Sequence, residues 1–262
     1  MRRFVIGDIH GCDKALRTLI ECIAPEPDDE LIFLGDYVDR GPDSRGVIDQ
    51  LIELQSRCRV VALRGNHEIM LCGVAFGGLD GEMWLTAGGK ATVTSYGGSL
   101  DKIPAAHKKF LLSLLPHYET RESIFVHACY DAQTPMDQQP EELRYWTHLN
   151  TTPGPHFSGK KVFVGHTPQP SGVVLDLGYL VCVDTYCFGN GFLTGMNVAT
   201  NEIIQVDKKG FRRRVPAAAF LLFVADSFKF VHRLITKRGR VEVELPLPAE
   251  PLNTPKPGDQ PE

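Results

Sequence analysis

Long apolar runs and an excess of positive charge are both missing from this sequence. The N-terminal apolar run covers only Phe4 to Ile6, and the longest later run, around Ala217 to Ala225, is about half the length of a membrane-spanning helix. We therefore expect neither a signal peptide nor a membrane span. The protein is expected to be cytoplasmic. Lys and Arg number 28 against 32 Asp and Glu, which gives a net charge of −4. Since surfaces that follow a nucleic-acid backbone are normally basic, no nucleic-acid partner is expected.

Closely spaced cysteine pairs are also missing. The seven cysteines are odd in number and far apart, and no C-x-x-C motif occurs. This pattern favours reduced thiols over a disulfide framework, a zinc ribbon or a thioredoxin-like site. The chain has 262 residues, of which 43% are hydrophobic, and this suits one α/β domain with its own core.

What the sequence does have is an alternation of strand and helix patterns, which indicates a layered α/β sheet. Short apolar runs predict buried strands at 3–6, 31–34, 60–63, 124–126 and 162–164. Apolar residues at helical spacing predict helices at 13–23, 44–55 and 105–115. The glycine-rich stretch 72–98 is expected to be loosely structured. Four short strands with turn residues between them predict an antiparallel β-meander at 172–175, 179–183, 192–197 and 203–206.

Polar motifs stand where five of the predicted strands end. They are GDIHG at 7–11, GDYVDRG at 35–41, GNHE at 65–68, His127 and Gly165-His166. Because ligands of open α/β sheets gather at the carboxyl ends of the strands, these motifs are expected to meet at one edge. Each motif alone is common in ordinary turns, but all five in this order and strand context predict a functional site.

The motifs supply six side chains of metal-binding types: Asp8, His10, Asp36, Asn66, His127 and His166. Oxygen and imidazole ligands without thiolate favour Mn, Fe, Zn, Co or Ni over Ca or Mg. Six ligands exceed what one tetrahedral ion needs, and they fit two ions that share a bridging carboxylate. The sequence therefore predicts two divalent metal ions per chain.

These motifs resemble the signature of the phosphoprotein phosphatase family, within the calcineurin-like metallophosphoesterase superfamily. The resemblance runs from about Arg3 to Val206. Two stretches, WLTAGGKATVTSYGG at 84–98 and VDTYCFGNGFLTGMN at 183–197, are similar to bacterial members more than to eukaryotic ones. The resemblance implies a layered α/β/β/α sandwich with mixed central sheets, and a catalytic domain at 1–210.

The resemblance also implies the roles of the ligands. Asp8 and His10 would bind one metal, Asp36 would bridge both, and the second would take Asn66, His127 and His166. Manganese is the first expectation, with Fe, Zn, Co or Ni as alternatives. Two such cations lower the pKa of a shared water, and the hydroxide so formed attacks phosphorus in line.

The residues around the ligands take further roles by the same resemblance. His67 is the expected general acid for the leaving oxygen, and Asp39 would hydrogen-bond and orient it. Arg40 would grip the phosphate oxygens and neutralise the charge that develops on them. Arg64 is either a phosphate contact or a structural partner.

The sequence departs from the family pattern between the two lone histidines. Relatives often carry a phosphate-binding arginine soon after a tryptophan, whereas here Thr147 and His148 follow Trp146. Either Arg144 or His148 is expected to take that role. Tyr186 stands where bacterial relatives often have glycine. Its larger side chain predicts a narrower rim around the active site.

Three functions compete. The first is a protein phosphatase that acts on phosphoserine and phosphothreonine in a phosphoprotein or phosphopeptide, with phosphotyrosine as a further candidate. The second is a diadenosine tetraphosphate hydrolase or another small-molecule phosphatase, which Gly11-Cys12-Asp13 also resembles, although symmetrical nucleotide hydrolases depart from the pair Asp39-Arg40. The third, an inactive binding scaffold, is disfavoured because no expected ligand is missing.

The end of the chain has no counterpart in the family pattern. We expect an extension at 211–245 that packs on the catalytic domain, and a disordered tail at 246–262, which is rich in Pro, Asp and Glu. The aromatic residues of the extension are expected to pack rather than bind a ligand, with a partner or oligomer surface as the alternative. The sequence leaves the oligomeric state open.

Overall fold

A computed structural model describes residues 1–213, and in them two five-stranded sheets form the centre of the molecule. The first sheet has the order β10-β9-β1-β2-β3, with β1 (Arg3–Ile6), β2 (Glu30–Phe33), β3 (Arg59–Ala62), β9 (Phe192–Asn197) and β10 (Ile203–Asp207). β1, β2 and β3 are parallel, and β9 runs antiparallel to both β1 and β10. Phe4 pairs with Leu31 on one side and with Asn197 on the other.

The second sheet is mixed in the same way. Its order is β4-β5-β6-β8-β7, with β4 (His117–Glu119), β5 (Ser123–Val126), β6 (Lys161–Val164), β7 (Leu175–Asp176) and β8 (Leu180–Cys182). The three inner strands are parallel, and the outer strands β4 and β7 are antiparallel to their neighbours.

The helices are short. They are α1 (Asp13–Ile23), α2 (Ser44–Leu54), α3 (Asn66–Gly77), α4 (Glu82–Trp84), α5 (Lys90–Ser95), α6 (Ala105–Leu112) and α7 (Glu141–Tyr145). α1 begins and ends where its periodicity predicts, and α2 starts after Asp43, whose carboxylate accepts from Gly46 N at 2.8 Å.

Alternation of side chains along the strands builds the layers. Phe4 and Ile6 of β1 pack in the cluster that contains the buried faces of α1 and α2. Val5, between them, points the other way and packs with Phe125 and Phe163 of the second sheet, whose rings stack at 5.2 Å. The outer face of the second sheet is covered by residues of 129–149. The described part is thus the layered sandwich that the sequence predicts.

The predicted β-meander is wrong. β7 and β8 join β6 in the second sheet, whereas β9 and β10 join β1 in the first, so the four strands divide between two sheets. A short strand with one buried face fits either sheet equally well, and its pattern therefore does not specify its partner.

The loose structure expected at 72–98 is also wrong. α3, α4 and α5 occupy most of this stretch, and a π-helical turn at Leu85–Gly89 joins α4 to α5. α3 is apolar almost all round after its first turn, so it shows no helical period. The break between α4 and α5 lies at Gly88, where φ is 128°. Sequence analysis also missed β4 and α7, and it extended α6 to 115, although Leu115 bridges to Leu63.

The proposed extension and tail lie almost entirely outside the described residues, which end at Arg213. Within residues 1–213, no helix is both long enough and apolar enough to cross a membrane.

Candidate metal centre

The six predicted ligands lie where strands of both sheets end. Asp8 and His166 each come two residues after a strand, β1 and β6, and His127 directly follows β5. Asp36 stands three residues after β2, and Asn66 is the first residue of α3. All six are buried, with 0–8% of their surface exposed. The two sheets therefore contribute ligands to one buried site.

Two groups of potential ligand atoms share Asp36. One group is His10, Asp36 and His67, and the other is Asp36, His127 and His166; within each group the ligand atoms lie within 4.8 Å of one another. Asn66 Oδ1 joins the second group, at 3.1 Å from both His127 Nε2 and His166 Nδ1. Asp36 is placed to bridge two ions.

Strained backbone surrounds this centre. A positive φ is uncommon outside glycine and collects at functional sites, where the rest of the fold enforces it. Within the predicted motifs it occurs at His10 (46°), Asp36 (53°), Asp39 (74°), Arg40 (66°) and His166 (60°). Gly35, at φ 108°, precedes Asp36, and a Cβ there would lie 2.9 Å from His127 Nδ1. The turn after β2 thus needs glycine for the close approach of a ligand.

Hydrogen bonds orient the imidazoles for metal binding. Nδ1 of His10 donates to Val38 O at 3.0 Å, and Nδ1 of His127 donates to Leu34 O at 2.9 Å, which leaves Nε2 of each ring as the ligand atom. Burial lowers the pKa of His10 and His127 and brings that of His166 to about 3. All three imidazoles are therefore neutral, the form that coordinates metals.

The buried carboxylates need cations nearby. Burial raises the pKa of Asp8 well above its usual range, and the neighbouring Asp184 and Asp36 raise it further. For Asp36, burial opposes ionisation, and the imidazoles around it lower its pKa when they carry a proton. Like charges in a buried site are costly without compensation. The donor set therefore fits two divalent cations, whose identity the ligand types leave open.

Asp184 is a member of the site that sequence analysis missed. It is 1% exposed, burial raises its pKa to about 7, and its Oδ2 has no hydrogen-bond partner among residues 1–213. It follows β8 by two residues, the same spacing that places Asp8 after β1. That spacing was the signal that could have identified it.

The predicted pair of His67 and Asp39 is present and tightly held. Nδ1 of His67 lies 2.7 Å from Asp39 Oδ2, which also accepts from Trp84 Nε1 at 2.8 Å. Asp39 Oδ1 accepts from Thr92 Oγ1 at 2.6 Å. Trp84 and Thr92 belong to the stretch that was predicted to be loose, so their role was missed.

Glu68 ties the two ligand-bearing turns together. Its Oε2 accepts from Asp36 N at 2.8 Å and Gly65 N at 3.0 Å, and its Oε1 accepts from Tyr37 N at 2.8 Å. These bonds fix the turn after β2 to the start of α3. Sequence analysis quoted Glu68 in its motif and gave it no role.

We expect Thr92→Val to lower the stability of the fold and to loosen the hydrogen-bonded pair of His67 and Asp39. The variant loses a short hydrogen bond to a buried carboxylate, which corresponds to about 1.5–3 kcal/mol of unfolding free energy. The rate on an alkyl phosphate should fall by roughly 10–100-fold as the support of the site loosens. Urea unfolding and phosphate release measure the two effects. The matched control is Thr86→Val, at an exposed threonine whose hydroxyl, within residues 1–213, hydrogen-bonds only Glu82 O. Equal behaviour of both variants would contradict the role of Thr92.

Arg40 lies at the rim beside His10. Its backbone N donates to Gly88 O at 3.1 Å, and a Cβ on Gly88 would lie 3.0 Å from that nitrogen, so this approach requires glycine. Its Nη1 is 2.8 Å from His10 Nε2, and its guanidinium lies 4.5 Å from the centroid of the Phe188 ring. The exposed side chain is placed to meet a phosphate at the metal centre.

Of the three remaining candidates, the structure brings His148 to the centre. Its exposed ring stacks on His166, with centroids 4.4 Å apart and planes inclined by 18°. Arg64 Nη2 instead donates to Leu114 O at 3.3 Å, and the Arg144 guanidinium lies 5.5 Å from the Tyr145 ring centroid. Within residues 1–213, neither arginine side chain hydrogen-bonds to a predicted ligand.

The Tyr186 ring lies beside Phe188. Their centroids are 4.7 Å apart. Since Phe188 also contacts His10 and Arg40, this tyrosine stands close to the rim of the site.

Comparison with known proteins finds relatives whose names describe two different activities. The chain is 43% identical over 79 residues to a symmetrical bis(5'-nucleosyl)-tetraphosphatase of Legionella pneumophila, which is 30% of this chain and 28% of the relative. It is 46% identical over 66 residues to a proposed serine/threonine-protein phosphatase of Caenorhabditis elegans, which is 24% of this chain and 18% of the relative. The aligned segments thus span less than a third of each relative.

Solved structures share the fold. A protein proposed to be a diadenosine tetraphosphatase superposes with a TM-score of 0.60 at 22% identity, covering 78% of this chain and 92% of its own. The sequence model of the calcineurin-like phosphoesterases matches residues 1–231. With its layered sheets and its shared Asp36, the chain belongs to the calcineurin-like phosphoesterase family.

Proposed function

We propose that this phosphoesterase removes phosphate from phosphoserine and phosphothreonine side chains of proteins. The observation that carries the proposal is the buried pair of His67 and Asp39, joined at 2.7 Å. Both residues are at most 1% exposed, and Trp84 and Thr92 hold the carboxylate in place. A site that fixes a proton donor this firmly is suited to a substrate whose leaving group needs a proton.

The leaving group distinguishes the two substrate classes. The alkoxide of serine or threonine is strongly basic and leaves poorly unless it is protonated in the transition state, an effect of typically ~10²–10⁴-fold. The phosphate leaving group of a dinucleoside tetraphosphate is already a stable anion. The pair of Asp39 and His67 therefore favours alkyl phosphate monoesters.

The residues of this chain divide the remaining work. His67 Nε2 lies 4.0 Å from Asp36 Oδ2, so the proton-donating atom faces the metal-ligand groups. Burial lowers the pKa of His67, but the carboxylates of Asp36 and Asp39 outweigh it and the net pKa is raised. Bound divalent cations, held by the six predicted ligands around Asp36 and not by His67, would supply a hydroxide nucleophile and neutralise phosphoryl charge.

Two exposed side chains define where substrate enters. Arg40 stands beside His10, and His148 lies on His166 of the other ligand group. We infer that Arg40 and His148 contact phosphate oxygens from these two places, with His148 in the role that an arginine fills in relatives. Because the side chains of Arg40 and His148 are both exposed, a phosphorylated side chain on another protein can reach the centre.

A second candidate is the hydrolysis of diadenosine tetraphosphate. The similarity to the L. pneumophila tetraphosphatase favours it, over 30% of this chain. Such a substrate would place a phosphoanhydride at the same metal centre, where the proton donor is less needed.

Hydrolysis with Mn²⁺ tests the proposal. The kcat/KM for phosphate release from a phosphoserine peptide and a phosphotyrosine peptide is compared with the kcat/KM for ADP formation from diadenosine tetraphosphate. We expect the phosphoserine peptide to exceed the dinucleotide by at least tenfold, about 1.4 kcal/mol of transition-state binding. The phosphotyrosine peptide shows whether aryl esters are also accepted. A tenfold advantage of the dinucleotide would overturn the proposed substrate class and leave the metal centre standing.

A further inference from the structure

A cavity adjoins the metal centre on the Arg40 side. It is open to solvent and has a volume of about 610 Å³. Its lining comes from the turns after β1 and β2, from α5, and from the turns around Phe188 and Lys208; it includes Cys12, Arg40, Pro42, Thr94, Phe188 and Lys208. Since Arg40 belongs both to this lining and to the rim of the metal centre, a substrate can occupy the two spaces together.

Two cations of this lining contact the same aromatic residue. The Arg40 guanidinium lies 4.5 Å from the centroid of the Phe188 ring, and Lys208 Nζ donates to Phe188 O at 3.4 Å. The edge of the Phe188 ring also meets the His10 ring, with centroids 4.8 Å apart. Phe188 therefore links a metal ligand, the phosphate-gripping arginine and an exposed lysine further out.

The side chains that line this cavity carry a net positive charge. Within residues 1–213, the lining contains no aspartate or glutamate. Lys208 makes no ion pair within residues 1–213, and its recorded side-chain hydrogen bond goes to a neutral carbonyl. An ammonium has three donors, so Lys208 keeps donors for a further acceptor. The space beside Arg40 thus offers a positive charge to anything that enters it.

We propose that this cavity is a subsite for a second anionic group of the substrate, bound by Lys208 while Arg40 holds the phosphoryl group being cleaved. The inference rests on the proposed phosphoprotein substrate. There the second anion is a carboxylate or phosphate on a residue close to the phosphoserine, since an extended chain advances only ~3.3–3.6 Å per residue. If the substrate is diadenosine tetraphosphate, the second anionic group is a phosphate next to the one being cleaved.

Peptides that differ in one side chain test the subsite. The kcat/KM is measured with Mn²⁺ for phosphoserine peptides that carry Glu, Ala, Lys or a second phosphoserine at each of three positions on either side. At one of these positions the wild-type protein should prefer Glu to Ala by about fivefold, the size of a partly exposed ion pair. The preference should shrink as ionic strength rises, because exposed charges are screened.

Lys208→Met should bring this Glu-to-Ala ratio to about one. Lys209→Met is the matched control, because Lys209 is the next residue of the same exposed turn and is not part of the cavity lining; its ratio should equal that of the wild type. A wild-type ratio near one at every position, or an unchanged ratio in Lys208→Met, would overturn the subsite. A larger preference for the second phosphoserine than for Glu identifies phosphate as the anion.

A failure of the proposed function gives a different result. If no phosphopeptide is hydrolysed, the comparison moves to diadenosine tetraphosphate and p-nitrophenyl phosphate, which carries a single anionic group. Lys208→Met should then lower kcat/KM on the dinucleotide by about fivefold relative to the aryl phosphate. An unchanged ratio of the two substrates would reject the subsite, whereas the lack of peptide hydrolysis alone rejects the phosphoprotein substrate.

Discussion

His67→Asn is expected to lose ~10²–10⁴-fold in kcat on a phosphoserine peptide while the protein keeps its bound metal. The amide preserves a side chain of similar position but supplies no acidic proton to the leaving alkoxide. On p-nitrophenyl phosphate, whose leaving group is a stable anion, the loss should be much smaller. The contrast between the two substrates is the signature of a proton donor, and a general loosening of the site would lower both rates alike.

His107→Asn is a suitable control for this variant. His107 is also buried, with its two ring nitrogens 2.8 Å from Asp49 Oδ1 and from the Tyr96 hydroxyl, outside the predicted ligand set. We expect its substitution to lower stability and to leave the ratio of the two substrates at the wild-type value. An unchanged kcat of His67→Asn on the phosphoserine peptide would rule out His67 as the acid.

Asp36→Asn is expected to abolish metal binding and to lower phosphate release by about 10³-fold or more, ~4 kcal/mol in the barrier. Asp36 is the side chain that both ligand groups share, so one substitution removes a charged ligand from each. The remaining ligands, which are neutral apart from the carboxylate of Asp8, cannot balance two divalent charges as two carboxylates do. Metal content by mass spectrometry and phosphate release measure the two losses on the same preparation.

The control for Asp36→Asn is Asp49→Asn. The side chain of Asp49 is 58% exposed and contacts Arg45 and His107 instead of the ligand groups. It should keep the metal content and the rate of the wild type. If Asp36→Asn retained both ions, the bridging role of Asp36 would be wrong.

The sequence predicts most of the fold wherever a pattern repeats within one element. Periodicity places α1 at its observed bounds, and apolar runs place β1 and β9 at theirs. It does not show that β9 pairs with β1, because strand partners are chosen by contacts between distant parts of the chain. It also misses α3, whose nearly uniform apolar surface has no period to detect.

In the candidate site, too, local motifs reveal some residues, and others are brought in only by the fold. Short motifs at strand ends name Asp8, Asp36 and His67, because their chemistry and local turns lie within a few residues. Trp84, which hydrogen-bonds Asp39 from 45 positions away, has no local signal. The stacking of His148 on His166 likewise depends on how the loop before β6 folds back, so sequence could offer Arg144 and His148 only as alternatives.

The two-metal centre is tested most directly by a titration of chelator-treated protein with Mn²⁺. Bound metal is measured by mass spectrometry, and phosphate release from a phosphoserine peptide is measured on the same samples. We expect about two ions per chain at saturation and a rate that rises with metal loading from near zero. Full activity of the chelated protein, or no bound ion at saturating Mn²⁺, would contradict the assignment of the residues around Asp36.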